Sequence, residues 1–217
     1  MTTNTTDSSN DEPLPDWWKP PKNPTLALLF TVLSLLSMAR PTLDHHWRAK
    51  RSEESWEKHK KIAIERLNNN NITAGLVFTS SAIFLSTTPP LTSFLPYTTR
   101  GCYVLILASF THALCSLIFG LAAANNYGAS DRIWARDILT ATRFRLYCTL
   151  LFISWPFICL IISIICLISS LLIACYASGV WWLQCFATID IVLFWVWLPP
   201  VFAWCALEKR VDRHHIS

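Results

Sequence analysis

The sequence predicts an all-α integral membrane helical bundle of four spans, or five if its first apolar segment also crosses. Three observations predict this. Of the 217 residues, 53% are hydrophobic and 15% are charged, against about 25% charged in an ordinary soluble domain. The apolar residues collect in runs of membrane-helix length. The charges collect between those runs, as in the loops of membrane proteins. A net charge of +4 is too modest for a nucleic-acid footprint, so no nucleic-acid partner is expected.

The chain opens on a polar tail, residues 1–24, "MTTNTTDSSNDEPLPDWWKPPKNP". It is rich in Pro and is expected to be disordered. Asn4-Thr5-Thr6 is a glycosylation sequon, useful only on a lumenal tail. The lead is acidic, so the run that follows is not expected to be a cleaved signal peptide.

Residues 25–39, "TLALLFTVLSLLSMA", form a short apolar helix that Pro24 opens and Arg40-Pro41 closes. Fifteen residues make about 22 Å of helix, against a hydrocarbon core of about 30 Å. The segment spans a thinned bilayer, lies in the interface or packs on the bundle. Residues 42–70 then change character and read as a charged amphipathic stalk helix. Glu54 and Lys58, and Glu57 and Lys61, stand four apart, an order that supports a solvated helix through ion pairs. Its basic residues also suit anionic lipid headgroups.

The membrane bundle is expected over 71–207. Its four apolar segments run at about 71–87, 101–124, 146–177 and 180–207, with Pro156 inside the third and Pro199-Pro200 near the end of the fourth. The Pro pair predicts a broken last turn. The loop at 125–145 carries Arg132, Arg136, Arg143 and Arg145, and the tail at 208–217 carries Lys209, Arg210 and Arg213. Basic loops stay inside, so the stalk, this loop and the C-terminus are expected to be cytoplasmic, in the endomembrane system or the plasma membrane. Within the loop, a short surface helix starting at Ser130 and an ordinary loop are equally compatible with the sequence.

Small and weakly polar residues hold membrane helices together. The third segment carries Pro156, Cys159, Ser163, Cys166 and Ser170, spaced three, four, three, four on one face. The second offers Ser109, Ser116 and Gly120, with His112 on the same face, and the first offers Gly75 and Thr79. These seams predict a packed bundle whose surroundings are the lipid bilayer. A homo-oligomer or a membrane-protein partner also suits such surfaces. Asp190 stands alone in "FATIDIVLFWVW". A charge at mid-bilayer costs at least about 2.5–3.5 kcal/mol, so Asp190 is expected to turn inward. His112 falls at about the same depth, which makes the two an expected intramembrane polar pair. The pair is read first as a structural clamp and second as a proton-responsive site.

Of the eight cysteines, Cys205 lies at the inner membrane edge beside Glu208-Lys209-Arg210 and is a candidate for lipidation. Cys102 and Cys175 fall near the same membrane face. The five glycines form no G-x-S-x-G, G-x-G-x-x-G or P-loop, and no H-E-x-x-H occurs. No catalytic residue, metal site or cofactor is therefore expected.

From Trp56 to Pro90, "WEKHKKIAIERLNNNNITAGLVFTSSAIFLSTTPP" resembles the opening of a family of small multi-pass membrane proteins of mushroom-forming fungi. The resemblance covers about residues 55–207. It implies a charged helix running through R-L-N-N into the first of four spans, and it implies no activity. The layout is also similar to that of store-operated calcium channels, but the first span here carries no acid to bind a cation. The expected function is a non-catalytic structural or interaction protein of a fungal membrane. The alternative is a small channel or transporter that uses Asp190 and His112.

Overall fold

The structure is a computed structural model. It describes residues 23–38, 53–87, 96, 97, 99–130, 142–197 and 200. The polar tail up to residue 22, the loop at 131–141, Cys205 and the basic tail at 208–217 lie outside the described residues. The described residues contain no strand. They form α1 (Pro24–Met38), α2 (Glu53–Ser86), α3 (Arg100–Ala129), α4 (Arg143–Ala177) and α5 (Trp181–Ile191), followed at once by a π-helical segment, Val192–Trp197. The chain divides into two compact units, Met1–Ser80 with Phe110–Ser163, and Ser81–Ser109 with Ile164–Ser217.

In the first unit α1 lays one face on α4. Phe30 and Leu33 bury against Leu146 and Leu150, and the Phe30 ring meets Tyr147 edge-on at 5.6 Å. Leu26, Leu28, Leu29, Val32 and Leu35 remain exposed on α1. The segment packs on a neighbouring helix, one of the placements its sequence leaves open.

The charged segment and the first apolar segment form one unbroken helix, α2. Trp56, Leu67, Asn70, Ala74 and Ser81 are buried, and Lys60, Ala63, Val77 and Phe84 are half-buried. Together these positions alternate steps of four and three, the period of a coiled-coil seam. The charged half is thus not a freely solvated stalk. Most of its few apolar residues fall on or beside one stripe: Trp56 packs with Tyr127 and Ile153, flanked by Ala63 and Ile64, and Leu67 packs with Ala123 and Ala124, while Ile62 faces away. The expected ion pairs are also replaced. Glu57 meets Lys60 at 3.5 Å, three residues on, rather than Lys61.

The buried residues of α3 keep the same rhythm: Cys102, Ile106, Ser109, Ala113, Ser116, Gly120, Ala123 and Tyr127, continuing to Ser130 just past its end. The Ser130 hydroxyl donates to the Tyr127 carbonyl at 2.8 Å and so serves the end of α3. Two helices, α3 and α4, are long and apolar enough to cross a bilayer, yet only 28% of each apolar window is buried. A core helix of a soluble protein would be largely covered. The apolar part of α2 and the 11-residue α5 are shorter than this.

In the second unit Tyr97, Cys102, Ile106 and Ala174 form the core, with Phe84 and Leu85 packed against it. The Tyr97 hydroxyl donates to the Thr87 carbonyl at 3.1 Å. Gly179, at φ 70°, ends α4 in the left-handed region that glycine enters without a Cβ clash. The chain then returns as α5, which buries Ala187 alone. The helix widens to π geometry just before Pro199-Pro200. Cys102 and Cys175 are free thiols.

Candidate functional site

Asn68–Asn71 mark the change on α2 from charged to apolar sequence. Asn is a poor helix-interior residue because its side chain competes for nearby backbone groups. Asn70 spends its side chain on a neighbouring helix instead. Its Nδ2 donates to Ser116 Oγ at 3.2 Å, and Ser116 Oγ donates to the Pro156 carbonyl at 2.7 Å. Asn70 and Ser116 are buried, so this two-bond relay joins α2, α3 and α4 away from water. In a low-dielectric interior such linked bonds polarise and strengthen each other.

One residue on, the side-chain amide of Asn71 fills the place that a Cβ at Gly120 would take. Glycine at 120 is what lets α2 and α3 meet there. The Asn71 Oδ1 is buried with no hydrogen-bond partner among the described residues. Below the relay, Arg66 donates from Nη1 to the Ser37 carbonyl at 3.0 Å and from Nη2 to the Leu36 carbonyl at 3.2 Å. These are orphan acceptors at the C-terminus of α1, and a cation suits that end of the helix dipole. The guanidinium also lies 5.5 Å from the Phe157 ring centroid. Burial lowers the Arg66 pKa from its usual value, but a guanidinium stays charged at neutral pH. Ser154 completes the clasp by donating to the Leu33 carbonyl at 3.1 Å.

The second unit has its own polar contacts. The Ser81 and Ser109 hydroxyls meet at 3.0 Å, and Ser170 Oγ donates to the Cys102 carbonyl at 3.0 Å. On α5, Gln184 Nε2 donates to the Tyr176 carbonyl at 3.1 Å, and the Tyr176 and Thr188 hydroxyls meet at 2.7 Å.

Most of the expected seam residues are covered. Ser109, Ser116, Gly120, Cys159, Ser163 and Ser170 are buried, and Cys166 is half-buried. Gly75 and Thr79 sit differently. Thr79 is exposed and donates back to the Gly75 carbonyl at 2.8 Å, and nothing lies within 4 Å of where a Gly75 Cβ would stand. The covered stripe of α2 runs through Asn70, Ala74 and Ser81 instead. Sequence reasoning missed Asn70, Arg66, Ser81 and Ser154. The signal for Asn70 and Ser81 was present, because both continue the seven-residue spacing of Trp56, Ala63, Leu67 and Ala74. Nothing in the local sequence marks Arg66 or Ser154.

His112 is half-buried in the first unit, and Asp190 is exposed in the second. The carboxylate that the sequence expects to turn inward lies on an open face of α5, one residue before its end. Cys205 lies outside the described residues.

These groups are hydroxyls, amides and a guanidinium bonded to one another or to backbone. Their chemistry is that of helix attachment. They define an all-helical protein with two helices able to cross a bilayer, fastened by buried polar contacts. Comparison with protein families, with curated proteins and with solved structures finds no match to this chain.

Proposed function

We propose that the chain is a four-span membrane protein with a non-catalytic structural or interaction role, its charged helix and C-terminus on the cytoplasmic side. One observation carries this reading: the buried polar side chains of the seams are spent on helix–helix contacts. Asn70, Ser81, Ser109, Ser116, Ser154 and Ser170 all bond across to another helix. Such contacts fasten helices in lipid, where apolar side chains give no net drive to associate. The two shorter segments complete the four spans. The apolar part of α2 enters directly from the charged half, and α5 with its π segment supplies 17 residues, 181–197, the lower limit for a span at about 17.

Topology tests this. Glycosylation acceptor sites inserted near Thr99 and near Ser178 should be modified in microsomes, and a site inserted near Ser130 should not. Modification near Ser130, or none at the other two, would overturn the four-span arrangement.

The exposure of Asp190 supports a second reading, a small channel or transporter. A carboxylate on the open face of a membrane helix is costly unless it serves a path or a partner. Proton and ion flux through proteoliposomes, abolished in Asp190→Asn, would support it. Equal flux with and without protein would end it.

A further inference from the structure

We propose that a groove on α2 formed by Lys58 and Lys61 binds the headgroup of an anionic phospholipid. This rests on the reading that α2 enters the bilayer after residue 70. The groove is open, about 520 Å³, and lined by Glu57, Lys58, Lys60, Lys61 and Ile64. Its charge balance is decided by one contact. Glu57 pairs with Lys60 at 3.5 Å, and the Lys60 ammonium also donates to the Ser130 carbonyl at 3.4 Å. Lys60 is thus held against the protein, with its side chain 17% exposed. Among the described residues, neither Lys58 nor Lys61 has a carboxylate within salt-bridge distance. The one carboxylate that lines the groove is thus engaged by Lys60, while Lys58 and Lys61 are exposed.

Position favours a lipid over a soluble anion. Lys61 precedes Asn68 by seven residues, about 10 Å of helix, which is about one Debye length at 0.1 M salt. The headgroup layer of the membrane falls within that reach. The same helix also offers the chains a track. On the stripe opposite the buried seam, beyond Glu65 and Asn69, Ile72 and Leu76 are 64% and 66% exposed. A diacyl lipid can set its anionic end on the lysines and its chains along the isoleucine and leucine side chains. A free phosphate would use the first feature only.

The test uses the full chain in phosphatidylcholine nanodiscs containing a minority of phosphatidylserine. Lipid that stays with the protein through mild delipidation is counted by mass spectrometry. Phosphatidylserine should be enriched over phosphatidylcholine. Enrichment should fall about fivefold for each lysine removed, so that Lys58→Gln/Lys61→Gln retains the two lipids almost equally. Both side chains are surface groups, and an unchanged helical circular dichroism spectrum shows that the variant is folded. No preference in the parent, or a preference the double variant keeps, overturns the proposal. Full displacement by inorganic phosphate assigns the groove to a soluble anion and overturns it too. If the parent is monodisperse without detergent and enters no nanodisc, the membrane reading itself has failed, an outcome distinct from a folded membrane protein without lipid preference.

Discussion

Two tryptophans show how differently the two units are covered. Trp56 sits in "EESWEKHKK", among the most charged residues of the chain, and is 1% exposed. Trp181 opens an apolar run and is 74% exposed. The first unit closes its charged helix over Tyr127 and Ile153, whereas α5 in the second buries Ala187 alone. Local hydropathy therefore ranks these regions in the opposite order to their burial. On the four-span reading proposed above, lipid covers an apolar helix without help, while a helix in water must hide its apolar stripe in protein. The charged helix needs its neighbours more than the apolar helix does.

Truncating the two tryptophans is the strongest way to break this comparison. Trp56→Ala should cost about 3–5 kcal/mol, the usual penalty for emptying a large buried aromatic site. Trp181→Ala should stay within about 0.5 kcal/mol, as surface substitutions do. Denaturant titration in detergent, followed by circular dichroism, checks both. Equal losses would mean that α5 is covered as well as α2.

Arg66→Leu should be of similar size. It removes two charge-assisted bonds to the end of α1, worth about 1.5–3 kcal/mol each in general. Hydrogen exchange of residues 24–38 should accelerate while exchange of α4 changes little. Asn70→Ala should cost about 1 kcal/mol or less, because interhelical bonds in membranes average about 0.6 and Ser116 keeps its bond to Pro156. A much larger loss would show that the relay is cooperative. Gly179→Ala is the larger of the two effects in the second unit. It should cost about 1–2 kcal/mol at most, since an L-residue at that φ meets its own carbonyl, and it should leave the first unit's exchange rates unchanged.

The helices themselves were legible because long apolar runs and proline punctuation are local signals. The expected segment at 25–39 is α1, and the expected run of charged sequence straight into the first apolar segment is α2. The seams of α3 and α4 were legible as well, since small residues there repeat at heptad spacing. The seam of α2 was not, because glycine and threonine at 75 and 79 outweighed an asparagine in the choice of stripe. Asn70 looked like a helix-breaking polar residue, and only its meeting with Ser116 reveals its use. The Arg66 clasp joins positions 29 and 30 residues apart, and no local pattern encodes such a contact. The exposure of Asp190 was likewise beyond reach, since the cost of an intramembrane charge says that it needs a partner and not where that partner stands.

The clasp on α1 has a consequence for a chain cut after folding. Phe30 and Leu33 hold α1 by burial, and Arg66 and Ser154 hold three of its carbonyls. None of these attachments passes through residues 39–52. Those residues lie outside the described ones, and the covalent link through them raises the effective concentration of α1 at its berth to roughly the millimolar range. A protease nick there would leave the first helix as a guest peptide seated on its host. Its residence time after the cut then measures directly what the clasp is worth once the tether no longer helps.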